Sequence, residues 1–358
     1  MASNSDIGHY IGLMSGTSLD GVDGVVLDNS GNKILAQVYI QFSTELRESL
    51  LELTQNSQTS LKNLINIDIE VANHFAKAAL QLLDMLKISS QDVVAIGSHG
   101  QSVFHQGGKY SMQIGHGAII AEQTKITTVS DFRMQDVAAG GQGAPLTPLY
   151  HQHLLNGKDG IVINLGGIAN ITKAQNGKII GFDSGPANTL LDNWIKKSKN
   201  LEYDRDGVWA RSGFVDEVLL EKLLNDDYFH KEHPKSTGPE YFNLGWLSKY
   251  LEGNEADADV ARTLIELTVM SVSAHISNEA DVYLCGGGVH NLFLFERLEY
   301  QNPNNNIMLT NDLGVHVDYV EAAAFGFFAK QTLAGLPSNL PEVTGAKGLR
   351  VLGAVYAI

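Results

Sequence analysis

The chain has 358 residues, 44% hydrophobic and 18% charged, the composition of a folded globular protein and not of a disordered or fibrous one. Its 25 basic and 40 acidic residues give a formal net charge of −15. That balance argues against nucleic acid or an anionic membrane as partner, because both select basic surface.

The length exceeds what one hydrophobic core usually serves, so two domains are expected. One cysteine, Cys285, excludes an intramolecular disulfide framework and fits a reducing compartment. The N-terminal MASNSDIGHY lacks the basic and apolar regions of a signal peptide, and no apolar run approaches the ~18 residues of a membrane span. A cytoplasmic location is therefore expected.

In chain order, residues 9–24, HYIGLMSGTSLDGVDG, come first. An apolar run, Ile11 to Met14, breaks at Ser15-Gly16-Thr17-Ser18 and resumes after Asp20 and Asp23. This is the pattern of a β-hairpin with an unusually long polar turn. Gly16 and Gly21 let backbone N–H groups approach an anion, and Thr17 and Ser18 add hydroxyl donors. Asp20 and Asp23 would repel a bare phosphate, so beside one they imply an intervening divalent cation. The stretch reads either as a Mg-nucleotide phosphate loop or as a polar hairpin tip with ordinary turn aspartates.

Ile34 to Phe42 alternate as a strand, and residues from about Ser60 to Lys87 carry helical periodicity. Val93–Gly97 is a short strand running into Ser98-His99-Gly100-Gln101, Ala118–Lys125 a helix, and Ile126–Val129 a strand. Residues 131–148 have no periodicity and read as a functional or interdomain loop. From Gly160 the order repeats: strands at Ile161–Leu165, Ile168–Lys173 and Lys178–Phe182, then helices at Ala187–Lys197, Val215–Leu224 and about Ala256–Asn278. A strand at Val282–Cys285, a helix from Asn291, a strand at Ile307–Leu309 and a helix at Val320–Leu333 complete it. The same element order occurring twice implies two α/β domains with mixed sheets, expected at 1–130 and 131–358. Residues 198–245 read as an insertion, and the C-terminal tail is free to return to the first domain.

Three further constellations carry possible chemistry. Gly166 and Gly167 form a second glycine hairpin tip, either structural or presenting N–H groups to a triphosphate. Asp183, in GFDSGPAN, lies between a strand and a helix. It or Ser184 serves as a helix N-cap, or Asp183 faces an interdomain cleft as a general base. Gly286-Gly287-Gly288 allows a base or sugar to lie on bare backbone, or is only a tight turn; neither GxGxxG nor a Walker A sequence is present. His99, His105 and His116 lack zinc-ligand spacing and read as hydrogen-bonding histidines. Cys285 reads as a small buried hydrophobe and Glu321 as a first-turn carboxylate, odd to bury unpaired.

The blocks GLMSGTSLDGVD, SHGQSVFH, DFRMQDVAAGGQGAPL, INLGGIANIT, FDSGPANTLLD and CGGGVHN, with the VEAAAF helix, resemble the signatures of the bacterial anhydro-N-acetylmuramic acid kinases. The resemblance implies two duplicated RNase-H-like domains of the actin-like ATPase and sugar kinase superfamily, with an interdomain cleft. It implies ATP and Mg²⁺, a small-molecule sugar substrate and a homodimer. The activity implied is hydrolytic opening of the 1,6-anhydro bridge with phosphorylation of O6, giving N-acetylmuramic acid 6-phosphate and ADP in peptidoglycan recycling. Carried onto this chain, the ATP-binding stretch falls on Gly16, Thr17, Ser18, Leu19, Asp20, Gly21, Val22 and Asp23, and the catalytic aspartate on Asp183. Substrate contacts are expected at His99, Gln101, Asp131, Arg133 and Glu321. The alternatives are a kinase of another amino sugar on the same fold, or a non-catalytic actin-like ATP-binding protein.

Overall fold

A computed structural model describes residues 8–56, 59–233 and 235–358. Residues 1–7, on which most of the signal-peptide reading rests, lie outside the described residues. The first half supplies strands β1 (His9–Ser15), β2 (Gly21–Leu27), β3 (Ile34–Gln41), β4 (Val93–Gln106), β5 (Tyr110–Ile114) and β6 (Thr128–Ser130). The second supplies β7 (Gly160–Leu165), β8 (Ile168–Gln175), β9 (Lys178–Pro186), β10 (Asp281–Cys285), β11 (Asn306–Leu309) and β12 (Ala354–Tyr356).

Two compact units result. One runs to Leu154 and regains Tyr319–Ile358; the other is Leu155–Asp318. In the first, the strand order is β12-β6-β4-β1-β2-β3, with β5 on β4. In the second it is β11-β10-β7-β8-β9. Each contains an antiparallel meander whose first strand pairs in parallel with a strand reached by a helical crossover, and that strand pairs in parallel with another. One topology occurring twice is the duplicated RNase-H-like architecture.

The boundary expected at residue 130 is displaced, for identifiable reasons. Residues 131–154 are tied into the first unit: Arg133 donates to His99, and the Tyr150 hydroxyl donates to the Gly31 carbonyl at 3.0 Å. The tail adds β12 antiparallel to β6. The helix Val320–Leu333 lies against β1 and β4 and is apolar almost all round, as a helix covered on most sides must be. Its approach is so close that a Cβ on Gly12 would stand 1.8 Å from the Ala322 carbonyl oxygen. Only glycine fits there.

The longer helix of this unit, Leu61–Leu86, buries Val71, Phe75, Ala79 and Leu82 on one face. Ser60 caps its first turn through the Asn63 N–H, and Lys87 ends it in the left-handed region. Several elements differ from the expected ones, among them helices at Met134–Ala138 and Thr147–Leu155 in and after the stretch read as a loop. A helix at Thr44–Asn56 follows β3, and β4 continues through His99 to Gln106 as a hairpin with β5. Among the described residues, no helix is long and apolar enough to cross a membrane.

Candidate active site

In the first unit, the turn between β1 and β2 is held from inside. Ser15 Oγ stands 2.6 Å from both the Gly21 carbonyl oxygen and Gln101 Oε1, which share its one proton. Gln101 Nε2 donates to the Gly16 and Ser102 carbonyls at 3.1 Å. One amide proton of Gln101 braces the hairpin turn at Gly16 and the other is used by the neighbouring Ser102 carbonyl, which places this expected substrate contact under the loop.

Thr17 and Ser18 are exposed, and Gly16 has no neighbour nearer than 4.0 Å to the position of a Cβ. Its lack of a side chain serves the open face. Gly21 differs: a Cβ there would meet the Ile40 carbonyl oxygen at 2.4 Å, so packing demands it. The side chains of Leu19 and Val22 are in the core, and Val22 is paired with Ile40 in the sheet. Only their backbones are available to a ligand. Asp20 accepts from Ser18 Oγ at 2.6 Å. Burial, then the charges of Asp20 and Asp23, push the Tyr39 phenol up to about 12.

Among the described residues, no group of three or more His, Cys, Asp or Glu side chains is arranged to hold a metal ion. Magnesium does not require one; one or two carboxylates plus substrate phosphates suffice. Asp20 and Asp23, gathered around one phenol, fit that donor set.

Beside this hairpin, His99 is buried, its ring 4.6 Å from that of Phe325 and tilted 40° to it. Arg133 Nε donates to His99 Nε2 at 2.9 Å, so the ring proton sits on Nδ1, 2.8 Å from the Gly100 carbonyl. Burial first, and then the Arg133 charge, hold His99 well below its ordinary pKa. A neutral imidazole therefore orients a guanidinium, whose NH1 also donates to the Gly143 carbonyl at 2.8 Å. Glu321 lies one helical turn before Phe325. Burial raises its pKa, and the Arg133 charge draws it back. The carboxylate that would be odd to bury unpaired has its counter-charge. Asp131 is exposed with φ at 58° and opens the same loop. Asp136, passed over in the sequence, is fully buried and accepts from Gly143 N, Asn339 Nδ2 and Thr344 Oγ1, each at 2.8 Å. It fixes the loop that carries Arg133.

In the second unit, Asp183 lies within β9 and is 6% exposed. It is not an N-cap, and neither is Ser184. The N–H groups of Ala187, Asn188 and Thr189 at the start of the next helix donate to the Gly167 and Gly166 carbonyls, at 2.9–3.1 Å. Those two glycines therefore support the helix from the β7–β8 tip, and their carbonyls are already used. Asp183 Oδ1 accepts from Asn170 Nδ2 across the β8–β9 pair, and Oδ2 from Thr237 N at 2.9 Å. Burial raises its pKa, against the opposing pull of these donors. A carboxylate kept desolvated yet held in place is the arrangement of a general base.

The Gly286–Gly288 turn rests on β7. A Cβ on Gly286 would meet Asn164 Oδ1 at 2.2 Å and one on Gly288 would meet Leu165 Cβ at 2.7 Å, whereas Gly287 has nothing within 4 Å. Two of the three glycines are required by packing, and only Gly287 presents open backbone. Cys285 is buried, as expected. A groove of about 700 Å³ lined by Leu201, Tyr203, Asp204, Val208 and Trp209 is a separate feature of this unit, and Asp183 does not line it.

Residues 8–358 match the family described as anhydro-N-acetylmuramic acid kinase. The chain belongs to this family. It is 45% identical to the anhydro-N-acetylmuramic acid kinase of Aliivibrio fischeri, covering 97% of this chain and 98% of that protein. It is also 45% identical to the kinase of the same name from Nitrosomonas europaea, covering 97% and 99%. Among solved structures, component A of (R)-2-hydroxyglutaryl-CoA dehydratase from Acidaminococcus fermentans superposes with a TM-score of 0.50 at 12% identity, over 91% of this chain and 99% of that one. That likeness bears on the fold alone. The full-length kinase relatives do not favour either alternative, another amino-sugar kinase or a non-catalytic ATP-binding protein.

For a member of this kinase family, the residues around Asp183 are the ones sequence reading missed. Asn170 stands in the quoted block INLGGIANIT, but nothing in the sequence pairs it with Asp183. The β8–β9 register does. Asn170→Ala removes a donor that favours the charged carboxylate, so the Asp183 pKa moves further up and the acid limb of kcat/KM shifts to higher pH. A pH–rate profile superimposable on that of the parent enzyme would show that this bond does not tune the carboxylate.

Proposed function

We propose that this chain is an ATP-dependent kinase of 1,6-anhydro-N-acetylmuramic acid that uses Asp183 to activate water. The observation carrying the reading is a buried Asp183, its pKa raised and its oxygens held by Asn170 and Thr237, in a chain matched from residue 8 to 358 by this kinase family. In the reaction, a bond forms between the water oxygen and C1, and the C1–O6 bridge bond breaks. Asp183 takes the water proton. O6 receives the γ-phosphoryl group of the ATP substrate, so ADP and N-acetylmuramic acid 6-phosphate leave. Ring opening at an anomeric carbon passes through an oxocarbenium-like state, and one positioned carboxylate typically contributes ~10²–10⁴ in rate. No separate general acid is needed, since the leaving oxygen is captured by phosphorus.

The open turn at Gly16, Thr17 and Ser18 supports a role in holding the ATP phosphates. Asp20 and Asp23 would hold the Mg²⁺, which when bound supplies neutralisation of phosphate charge. Gly287 supports a place for the adenosine. Arg133, oriented by neutral His99 and balanced by Glu321, supports recognition of the sugar's polar groups, with Asp131 beside it and Gln101 acting through the hairpin. A cytoplasmic place in peptidoglycan recycling is supported by the lone cysteine, and a homodimer by the family resemblance. The acidic charge balance disfavours a nucleic-acid partner.

The test is substrate dependence. ADP release should require the anhydro-sugar, and N-acetylmuramic acid should not replace it. Equal ADP release with both sugars would make the enzyme a conventional hydroxyl kinase and overturn the ring-opening reading.

A further inference from the structure

Tyr228, Lys235 and Thr237, inside the polar insertion, each hydrogen-bond to Asp183, and the Ser236 side chain also bonds to its carboxylate. The Tyr228 hydroxyl donates to the Asp183 carbonyl at 2.7 Å. Asp183 N donates to the Lys235 carbonyl at 3.1 Å, and Thr237 N donates to Asp183 Oδ2 at 2.9 Å. Lys235 is itself buried, its Nζ 5.0 Å from the centre of the Tyr228 ring and 3.5 Å from the Tyr228 and Phe229 carbonyls. The segment is thus anchored on its own side and presents its backbone to the carboxylate.

One atom in this arrangement has no partner. The Thr237 hydroxyl is buried from solvent and makes no hydrogen bond, although the backbone N–H of the same residue is on the carboxylate. A buried hydroxyl without a partner is costly, and such groups in native structures call for an explanation, a bound water or substrate group among them. The Thr237 hydroxyl is thus an unused hydrogen-bonding group on the very residue whose N–H holds the Asp183 carboxylate.

We infer that Thr237 is a second catalytic residue: its hydroxyl holds the attacking water together with the Asp183 carboxylate. The inference rests on the reading of Asp183 as the base. A water approaching C1 has two protons and a lone pair to place. Asp183 accepts the proton that is transferred, Thr237 Oγ1 accepts a hydrogen bond from the other, and the lone pair is left aimed at C1. Orientation of this kind acts on the transition state for attack and little on sugar or nucleotide binding.

Thr237→Val removes the hydroxyl at nearly constant shape and keeps the N–H on Asp183. It should lower kcat roughly 10- to 100-fold with both KM values within about twofold of the parent, and Thr237→Ser should restore most of the loss. A Thr237→Val enzyme with kcat within twofold of the parent would overturn the inference. So would Val and Ser variants equally impaired, which would mark a structural role for the side chain. Thr237→Ala provides the same reading if the valine variant does not fold, as judged by its thermal melt. Asp183→Asn measured in parallel separates the two levels: near-normal turnover there ends the base reading, whereas an inactive Asp183→Asn beside a fully active Thr237→Val ends only the inference about Thr237.

Discussion

Asp183→Asn lowers kcat by at least ~10² while sugar and nucleotide KM values change far less. The substitution preserves the shape of the side chain and removes its ability to take a proton. Because Oδ1 and Oδ2 are each already accepting a bond from Asn170 or Thr237, an amide in this place would also turn one NH₂ group toward a donor. The variant is best judged by its thermal melt before its kinetics. With the parent enzyme in ¹⁸O-water, the label should appear at C1 of the sugar and none in phosphate. Label in phosphate would mean plain ATP hydrolysis, and a folded Asp183→Asn enzyme with near-normal turnover would falsify the base assignment. The pH sign follows from burial. A raised carboxyl pKa keeps the acid protonated to higher pH than an ordinary aspartate, so the base is lost as pH falls through that raised value. The acid limb of kcat/KM should lie above the usual aspartate range.

Legibility followed the range of the forces involved. The helix Val320–Leu333 was bounded to the residue, because a nearly continuous apolar run leaves no other register. Three strands of the second meander were found where period and turn signals coincide, as at Asn176-Gly177. The helix Thr44–Asn56 buries Leu46, Leu50 and Leu53 at helical spacing, a stripe present in the sequence but narrow among its polar residues. Strand β4 reads from sequence only as far as Gly97, because SHGQSVFHQ is too polar to read as a strand without β5 beside it.

The site was legible as blocks and not as bonds. Gly16 and Gly21 look equivalent in the sequence, yet one faces open space and the other the Ile40 carbonyl. Asn170 and Thr237 lie 13 and 54 residues from Asp183, so only the folded chain brings them to its two oxygens. A segment read as a bland insertion turns out to fasten the proposed base. Equally, residues 131–154 read as a second-domain entry until the Arg133–His99 and Tyr150–Gly31 bonds are seen. Long-range pairings of this kind leave no local pattern.

The hairpin makes the second large effect, and its sign is unusual. Asp20 and Asp23 stand beside the open turn in a chain whose formal charge is already −15. Two carboxylates near a polyphosphate are intelligible only when a divalent cation lies between them. Asp20→Ala and Asp23→Ala should therefore each raise the KM for Mg-ATP by about tenfold or more and move the Mg²⁺ requirement to higher concentration. Without Mg²⁺ the prediction reverses. The same carboxylates then only repel, so each variant should bind metal-free ATP more tightly than the parent does, as titration calorimetry in chelator would show. Asp20 also receives the Ser18 hydroxyl, so Ser18→Ala serves as the control for loss of loop order. It should weaken ATP binding with and without Mg²⁺ alike. Unchanged ATP and Mg²⁺ dependence in both aspartate variants would leave the turn a polar hairpin tip. Weaker binding of metal-free ATP in the variants would mean that the carboxylates order the loop and do not hold the cation.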